Sequence, residues 1–388
     1  MELFKTLSHA ELIDSIKNFD AIKYCKTRNY LNGWVSKLSP YITHGIITVD
    51  EIVRLSLQKC TIDQAESWYK ELLWREYFVQ VHYHQWDTIF DDIDEDKTDI
   101  SKKDILPDQI QSKTRPVSRV NQSILQLEQT WYLHNHQRMR LASYMTHRQK
   151  LYWKKLADWT YYHFLDGELW SNHLSWQWVA STFSHKPYFM NEENISRYRP
   201  GMKDPYLRGS YEEIEKKIFD HKRGTDVRES TDISWAYKTD LSKIPSWQVC
   251  YDHYTILTPR DLHPDKISDP TTTVCILDPK FFARHPRSQK RIAFVQSYCD
   301  LYGINLVQWD IADILAQSTG CALYETRNPV YRHAYITHGQ QHTLHLHTRC
   351  SPVAWSQYTK KFFPFWEKTS KHLYQLQREI KPWSDILS

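Results

Sequence analysis

The alternation of apolar and polar positions divides the chain into two textures. Over residues 1–221 apolar side chains return every three or four positions, most regularly in 8–19, 62–84, 119–133 and 136–165. That period predicts amphipathic helices. A polar, acid-rich connector over 87–117 interrupts them, and a second polar stretch, 222–247, reads as an interdomain linker. After 250 the pattern changes to short apolar runs: Tyr254-Thr255-Ile256-Leu257, Thr273-Val274-Cys275-Ile276-Leu277, a helix over 288–302, then Asn305-Leu306-Val307-Gln308-Trp309. Strand, strand, helix, strand at that spacing predicts an open α/β sheet with crossovers. The expected fold is mainly α, with an all-helical domain over 1–221, the linker 222–247 and a smaller α/β domain with a mostly parallel sheet over 248–388.

Composition narrows the chemistry. The 9 glycines stand against the roughly 27 that average usage would give. Neither G-x-G-x-x-G nor a G-x-x-x-x-G-K phosphate loop occurs, so a nucleotide must be held by other means. Sixteen Trp and 25 Tyr exceed what packing alone requires and point to stacking partners or electron-transfer residues. The net charge of +4 permits a local phosphate-binding face without proving one. The seven cysteines, at 25, 60, 250, 275, 299, 321 and 350, form no C-x-x-C pair. They read as reduced thiols of a cytoplasmic protein. The charged N-terminus and the lack of any run near 18 apolar residues predict neither export nor membrane insertion.

Two segments carry candidate chemistry. Glu71, Trp74, Arg75 and Phe78 stand at i, i+3, i+4 and i+7, so one helical face offers an indole flanked by an acid and a base. Such a face suits a flat, polar-edged ligand such as a nucleobase, and equally belongs to a plain amphipathic helix. The second segment holds His134-Asn135-His136-Gln137-Arg138-Met139, then Trp153, Asp166-Gly167-Glu168 and Asn172 to Trp178. Asn135, Arg138 and Met139 share one helical face, and Asn172 and Trp176 another. A buried Arg138 needs a carboxylate, for which Asp166 is the candidate, whether in a ligand site or in a structural ion pair. His342, His345, His347 and Cys350 look metal-like, but their spacing fits no standard zinc site; a polar strand surface is expected and no metal. His82 and His84 are expected at the surface. Arg75, Lys186, Arg197 and Arg199 are candidates for phosphate contacts or for a solvated face.

These segments resemble the flavin-binding domain of the DNA photolyase and cryptochrome family, whose signature runs Glu-Leu-x-Trp-Arg-Glu, Trp/Tyr-x-His-Asn-Arg-x-Arg-Met and Asp-Gly-Asp-x-x-x-Asn-x-x-x-Trp-Gln-Trp. Tyr24, Arg28-Asn29 and Val35-Ser36-Lys37-Leu38-Ser39-Pro40 are similar to its flavin phosphate-binding loop, so the likeness spans roughly residues 20–190. Ile256 to Leu262, Ile276-Leu277-Asp278-Pro279 and Phe362-Phe363-Pro364-Phe365-Trp366 resemble the family's Rossmann-like antenna domain. That domain ordinarily precedes the flavin domain, and here its motifs follow it.

The resemblance implies FAD as cofactor, with Tyr24, Ser36, Lys37, Leu38 and Ser39 at the diphosphate and ribityl chain. It implies Arg138, Asp166, Glu168 and Asn172 around the flavin and adenine, although Ser36 and Ser39 also suit ordinary helix caps. It places a flipped cyclobutane pyrimidine dimer of ultraviolet-damaged DNA on Glu71, Trp74, Arg75, Asn135, Met139 and Trp178. Glu71 and Asn135 would bond the thymine edges, and Trp faces would replace lost stacking. Trp176 and Trp153 match the inner members of an electron-transfer chain. No Trp lies between 87 and 130, where the outer member is expected, so Trp159 or a nearby Tyr would replace it. Three departures stand out: Val35 for a Thr, His136 for an Arg, and Glu168 for an Asp. Leu174-Ser175 also replaces a Gly-Gly pair. The function implied is light-driven repair of dimers by a monomer. The alternatives are a cryptochrome-like photoreceptor without repair and a binding protein that has lost its flavin. A second, antenna chromophore is left unidentified.

Overall fold

A computed structural model describes residues 4–98, 118–198, 208–219, 237–247, 254–317, 322–325, 343–346 and 358–380. The N-terminal part runs through α1 (His9–Lys17), α2 (Ala21–Thr27), α3 (Ser39–Thr43), α4 (Val49–Leu57) and the long α5 (Glu66–Gln85). There follow α6 (Ser118–Thr130), α7 (Asn135–Ser143), α8 (Trp153–His163), α9 (Leu169–Ala180), α10 (Glu192–Tyr198) and α11 (Tyr211–Phe219). The last part carries β1 (Thr255–Leu257), β2 (Thr273–Leu277), α12 (Pro279–Arg284), α13 (Gln289–Tyr302), β3 (Asn305–Gln308), α14 (Ile311–Gln317), β4 (Ala322–Glu325), β5 (Thr343–Leu346) and α15 (Phe362–Ile380).

Local signals set these boundaries. Ser8 and Glu11 close a capping box at the start of α1, and Thr48 and Glu51 repeat it at α4. Each box satisfies two backbone donors that a bare helix end would leave unbonded. One predicted helix is divided. The apolar period over 136–165 continues without a break, yet the chain forms α7, a π turn over Tyr144–Arg148, and then α8. Lys150 at φ 56 and the Leu151 N–H donated to Met145 O at 3.0 Å turn the backbone before Trp153.

The sheet is parallel throughout, in the order β3-β2-β1-β4-β5. That is the doubly wound, Rossmann-like order, as the strand and helix series after 250 predicts. Every residue of β1 and β2 is buried, as in a parallel sheet covered on both faces.

Compactness does not follow linear order. The chain forms two units, one of Met1–Cys25, Val35–His84 and Lys238–Ser388, the other of Lys26–Trp34 and Gln85–Tyr237. The N-terminal helices thus share a unit with the sheet, whereas the sequence pattern alone divides the chain at 222–247. Long-range bonds within the first unit explain the difference. His44 Nδ1 lies 2.6 Å from Pro259 O, Leu262 N–H donates to His44 O at 3.0 Å, and Tyr298 O–H donates to Leu7 O at 2.7 Å. Gly45, at φ 67, lets that approach happen: a Cβ there would meet Arg260 O at 2.1 Å. The second unit packs α6 to α9 around a buried cluster that includes Ile124, Leu127, Leu141, Met145, Trp153, Trp159 and Trp176.

Among the described residues no helix is long and apolar enough to cross a membrane. Cys25, Cys60, Cys275 and Cys299 are free thiols. Arg199, His342, His347, Cys350 and residues 99–117 and 222–236 lie outside the described residues.

Candidate functional site

The second unit builds its site around the start of α7. His134 caps that helix: its Nδ1 accepts the His136 N–H at 3.2 Å, and Gln137 Oε1 takes the His134 N–H at 3.1 Å. Burial, then the nearby Arg138 and Arg140, push the His134 imidazole down to about 4, so it is neutral at pH 7 and free to accept. Burial, Arg140, His134 and Arg28 push His136 down to about 4 as well. The imidazole that stands where the family signature has an arginine therefore brings no positive charge.

One turn into α7, Arg138 Nη2 donates to both oxygens of Asp166, at 3.0 and 2.8 Å. Its Nε donates to Leu133 O at 2.8 Å, and its guanidinium lies 3.9 Å from the Phe164 ring centre. The Asp166 side chain is 3% exposed and that of Arg138 27% exposed. The pair is therefore a nearly dry carboxylate facing a cation that keeps one edge toward solvent. The Leu165 N–H donated to Trp131 O at 2.9 Å fixes the two loops that bring these groups together. Two residues on, Glu168 is buried at the head of α9, where the helix end favours an anion.

Asn172 is committed within the helix pair α8 and α9. Its Nδ2 donates to Ala157 O at 2.7 Å, and Thr160 Oγ1 donates to its Oδ1 at 3.1 Å. The same Thr160 hydroxyl accepts from Trp176 Nε1 at 2.9 Å. Trp153 donates its Nε1–H to Asp92 Oδ1 at 2.6 Å. Both indoles are buried in the core cluster, which also holds Trp159. Trp159 faces His163 at 5.8 Å between ring centres; His163 meets Tyr162 at 5.1 Å, and Tyr162 meets Tyr237 at 4.7 Å. Asn135 is exposed, with its amide 3.8 Å from Met139 Sδ. Trp178 is half-buried beside Tyr188.

The remaining candidates belong to the first unit. Tyr24 packs edge-on against Trp68 at 5.1 Å. Ser36 Oγ accepts the Leu38 N–H at 3.4 Å, Lys37 adopts φ 56, and buried Leu38 precedes Ser39, the first residue of α3. Lys37 thus makes a turn in a left-handed conformation where a phosphate loop would ordinarily use glycine. Glu71, Trp74 and Arg75 stand half-buried on α5, and Arg75 Nη2 donates to Thr43 Oγ1 at 2.6 Å. One face of Trp74 is already covered: the Phe362 ring at the head of α15 stacks on it at 3.7 Å and 9°. The indole is a stacking plate, as its sequence position predicts, but the ring seen on it is the chain's own.

His82 corrects a sequence expectation, since it is 3% exposed rather than at the surface. It lies on the inward face of α5, where the apolar period is blurred by Glu76 and Gln80, also buried. Lys186 is exposed, and Arg197 pairs with Glu193 at 2.9 Å. Sequence reasoning missed Thr160 and Phe362. A threonine inside a helix gives no signal of a shared hydroxyl, and the motif that begins at Phe362 resembles part of the antenna-type domain without naming Trp74 as its partner.

Several known proteins are similar to parts of this chain. Residues 68–202 match the family described as FAD binding domain of DNA photolyase. A deoxyribodipyrimidine photo-lyase of Streptomyces griseus is 27% identical over 188 residues, 46% of this chain and 39% of the relative. A cryptochrome DASH of Vibrio parahaemolyticus is 30% identical over 168 residues, 41% of this chain and 38% of the relative. The matched segments thus span about two fifths of these relatives. A class III photolyase structure from Agrobacterium tumefaciens aligns at 21% identity and TM-score 0.43, covering 55% of this chain and 50% of that one. A cryptochrome structure from Synechocystis sp. PCC6803 aligns at 19% identity and TM-score 0.47, covering 58% and 53%. Residues 68–202 of this chain are thus similar to the FAD-binding domain of DNA photolyases, which supports FAD as the cofactor of that segment.

Proposed function

We propose that the protein is a light-driven lyase that splits cyclobutane pyrimidine dimers in ultraviolet-damaged DNA. The observation that carries the reading is the Arg138–Asp166 pair with buried Glu168 beside it, inside the segment that matches the flavin-binding family. A cation with one open edge and two buried carboxylates suit a ligand rich in N–H, O–H and carbonyl groups, as the flavin and adenine of FAD are. In this reading Arg138, Asp166, Glu168 and Asn172 line the rings, and Tyr24, Ser36, Lys37, Leu38 and Ser39 take the diphosphate and ribityl chain. Bound here in its reduced form, FAD would supply light-driven electron donation to the dimer and would recover the electron once the two pyrimidines separate.

The chain's own residues place the substrate and shape its surroundings. Glu71 and Asn135 bond the pyrimidine edges, Met139 fills the apolar wall beside them, and Trp74, Arg75 and Trp178 flank the extruded bases. Trp176 and Trp153, with their N–H groups anchored to Thr160 and Asp92, relay electrons when the cofactor is photoreduced. Free thiols and a monomer in the cytoplasm are consistent with this reading.

Two observations favour a second reading, a photoreceptor without repair activity. Phe362 covers one of the two Trp74 faces on which a base could stack, and His136 is neutral where an arginine could meet DNA phosphate. Purified, chemically reduced, FAD-loaded protein is to be illuminated with an oligonucleotide carrying one cyclobutane thymine dimer. Light-dependent loss of the dimer is expected; flavin photoreduction without dimer loss selects the photoreceptor.

A further inference from the structure

Away from the flavin segment, three side chains distant in sequence converge within the first unit. His9 opens α1, Glu51 lies in the first turn of α4, and His263 precedes the short turn Pro264–Lys266 that follows β1. His9 Nε2 lies 2.8 Å from Glu51 Oε1, and His263 Nε2 lies 3.1 Å from the same oxygen. The three ligand atoms all lie within 4.8 Å of one another. We propose that His9, Glu51 and His263 form a binding site for one divalent transition-metal ion, for which Zn2+ is the best-suited occupant.

The donor set is the first argument. Two imidazoles and one carboxylate are an established ligand set for Zn2+, and bonds of about 2.0–2.2 Å place neighbouring ligand atoms roughly 3.3–3.5 Å apart in a tetrahedron. The two histidine–glutamate separations of 2.8 and 3.1 Å lie close to that spacing, and the two histidine nitrogens are held within 4.8 Å of each other. The imidazoles meet edge to face at 4.7 Å between centres, so they turn their Nε2 atoms toward one point instead of stacking on each other.

The surroundings are built for it. Glu51 Oε2 takes the Thr48 N–H and hydroxyl, each at 2.7 Å, which fixes the carboxylate with Oε1 toward His9 and both oxygens, at 3.1 and 3.2 Å, beside His263 Nε2. Asp265 stands behind His263, its carboxylate 3.7 Å from Nδ1. Here His263 Nδ1 accepts the Asp265 backbone N–H at 3.3 Å; a metal at Nε2 requires the other tautomer, whose Nδ1–H turns to the Asp265 carboxylate, and such carboxylate–histidine–metal arrangements orient the ligand. His263 is nearly dry, and the side chains of His9 and Glu51 are 24% and 25% exposed, so the fourth position faces water. The positive ends of α1 and α4 oppose a cation weakly, and the Glu51 carboxylate offsets them. The consequence is a cross-link between the first helices and the turn after β1.

The test uses the full chain, stripped with a chelator and then dialysed against Zn2+, with Co2+ as spectroscopic probe. One equivalent of Zn2+ is expected, with tetrahedral-type visible absorption from the Co2+ form and an unfolding midpoint raised by Zn2+. His9→Ala sits at the edge of the cluster, and Glu51→Gln keeps a capping-box residue while removing the charge, so both variants retain the fold by circular dichroism. Each is expected to weaken binding at least about 100-fold and to abolish the Zn2+-dependent shift. A triple variant of His342, His345 and His347 separates binding elsewhere and is expected to keep the full equivalent. No bound Zn2+ in the wild type, or equal affinity in His9→Ala and Glu51→Gln, would overturn the site and leave the cluster a hydrogen-bonded clamp.

Discussion

The Arg138–Asp166 pair predicts an asymmetry between its two partners. Removing Arg138, as in Arg138→Gln, deprives a carboxylate that is 3% exposed of its cation. It also removes the Nε bond to Leu133 O at 2.8 Å and the guanidinium 3.9 Å from the Phe164 ring. Breaking a buried pair in this way costs about 3–5 kcal/mol. Asp166→Asn instead leaves a guanidinium with 27% of its side chain open to water, still bonded to Leu133 and stacked on Phe164. Its cost is about 1–2 kcal/mol, because solvent and the remaining contacts support the charge. Urea unfolding of the cofactor-free variants measures both, and FAD occupancy after purification is expected to fall in both. Equal losses, or a loss below about 1 kcal/mol for Arg138→Gln, would refute the view that the dry carboxylate is the vulnerable half of the pair.

Acid should destabilise the second unit before carboxylates begin to titrate. His134, His136 and His163 are each held down at about 4, chiefly by burial, so the folded protein refuses protons that the unfolded chain accepts below its ordinary value of roughly 6.5. Their contribution is whole above about 6.5 and is lost progressively as pH falls toward 4, by about 1 kcal/mol each between pH 7 and 5 after allowance for solvent access. Urea midpoints at a series of pH values test this, and His163→Gln should flatten the slope. In the first unit, Phe362→Ala empties a site that is 4% exposed and uncovers the Trp74 face. A loss of about 3–4 kcal/mol is expected by chemical denaturation; a near-neutral change would mean that the stack contributes nothing to the packing of α15.

Periodicity was enough to place α6 and α13 and to separate helical from α/β texture, because each of those helices buries one face in the way its spacing dictates; α5 forms where a helix is expected but is buried all round from Glu76 to His82. It failed over 136–165, where the apolar phase runs on through a π turn and a left-handed Lys150. It could not reveal the interleaved units either, since these depend on Gly45 meeting Arg260 and on His44 bonding Pro259, contacts that leave no local pattern. In the site, the charge logic that pairs Arg138 with Asp166 was legible because a buried cation demands an anion. The commitment of Asn172 was not, because an amide satisfies itself with whichever carbonyl and hydroxyl the neighbouring helix happens to present.

Trp74 shows where that reasoning stops. An acid, an indole and a base at i, i+3 and i+4 specify a flat apolar surface with polar edges, and any ring of suitable shape satisfies such a surface. The sequence therefore predicts that something stacks there without saying whether it is a base or another helix. Phe362 lies nearly parallel to the indole at 3.7 Å, so it gains the contact a nucleobase would gain. A base that used the same face would have to displace a ring buried against Tyr77 and Phe365 as well, and would forfeit that packing. Lesion binding by the covered face therefore requires the head of α15 to move, whereas binding by the Glu71 edge or the opposite face does not. Measuring dimer affinity in Phe362→Leu separates the two routes: a rise means that Phe362 competes with the lesion, and an unchanged value means that recognition leaves the stack in place.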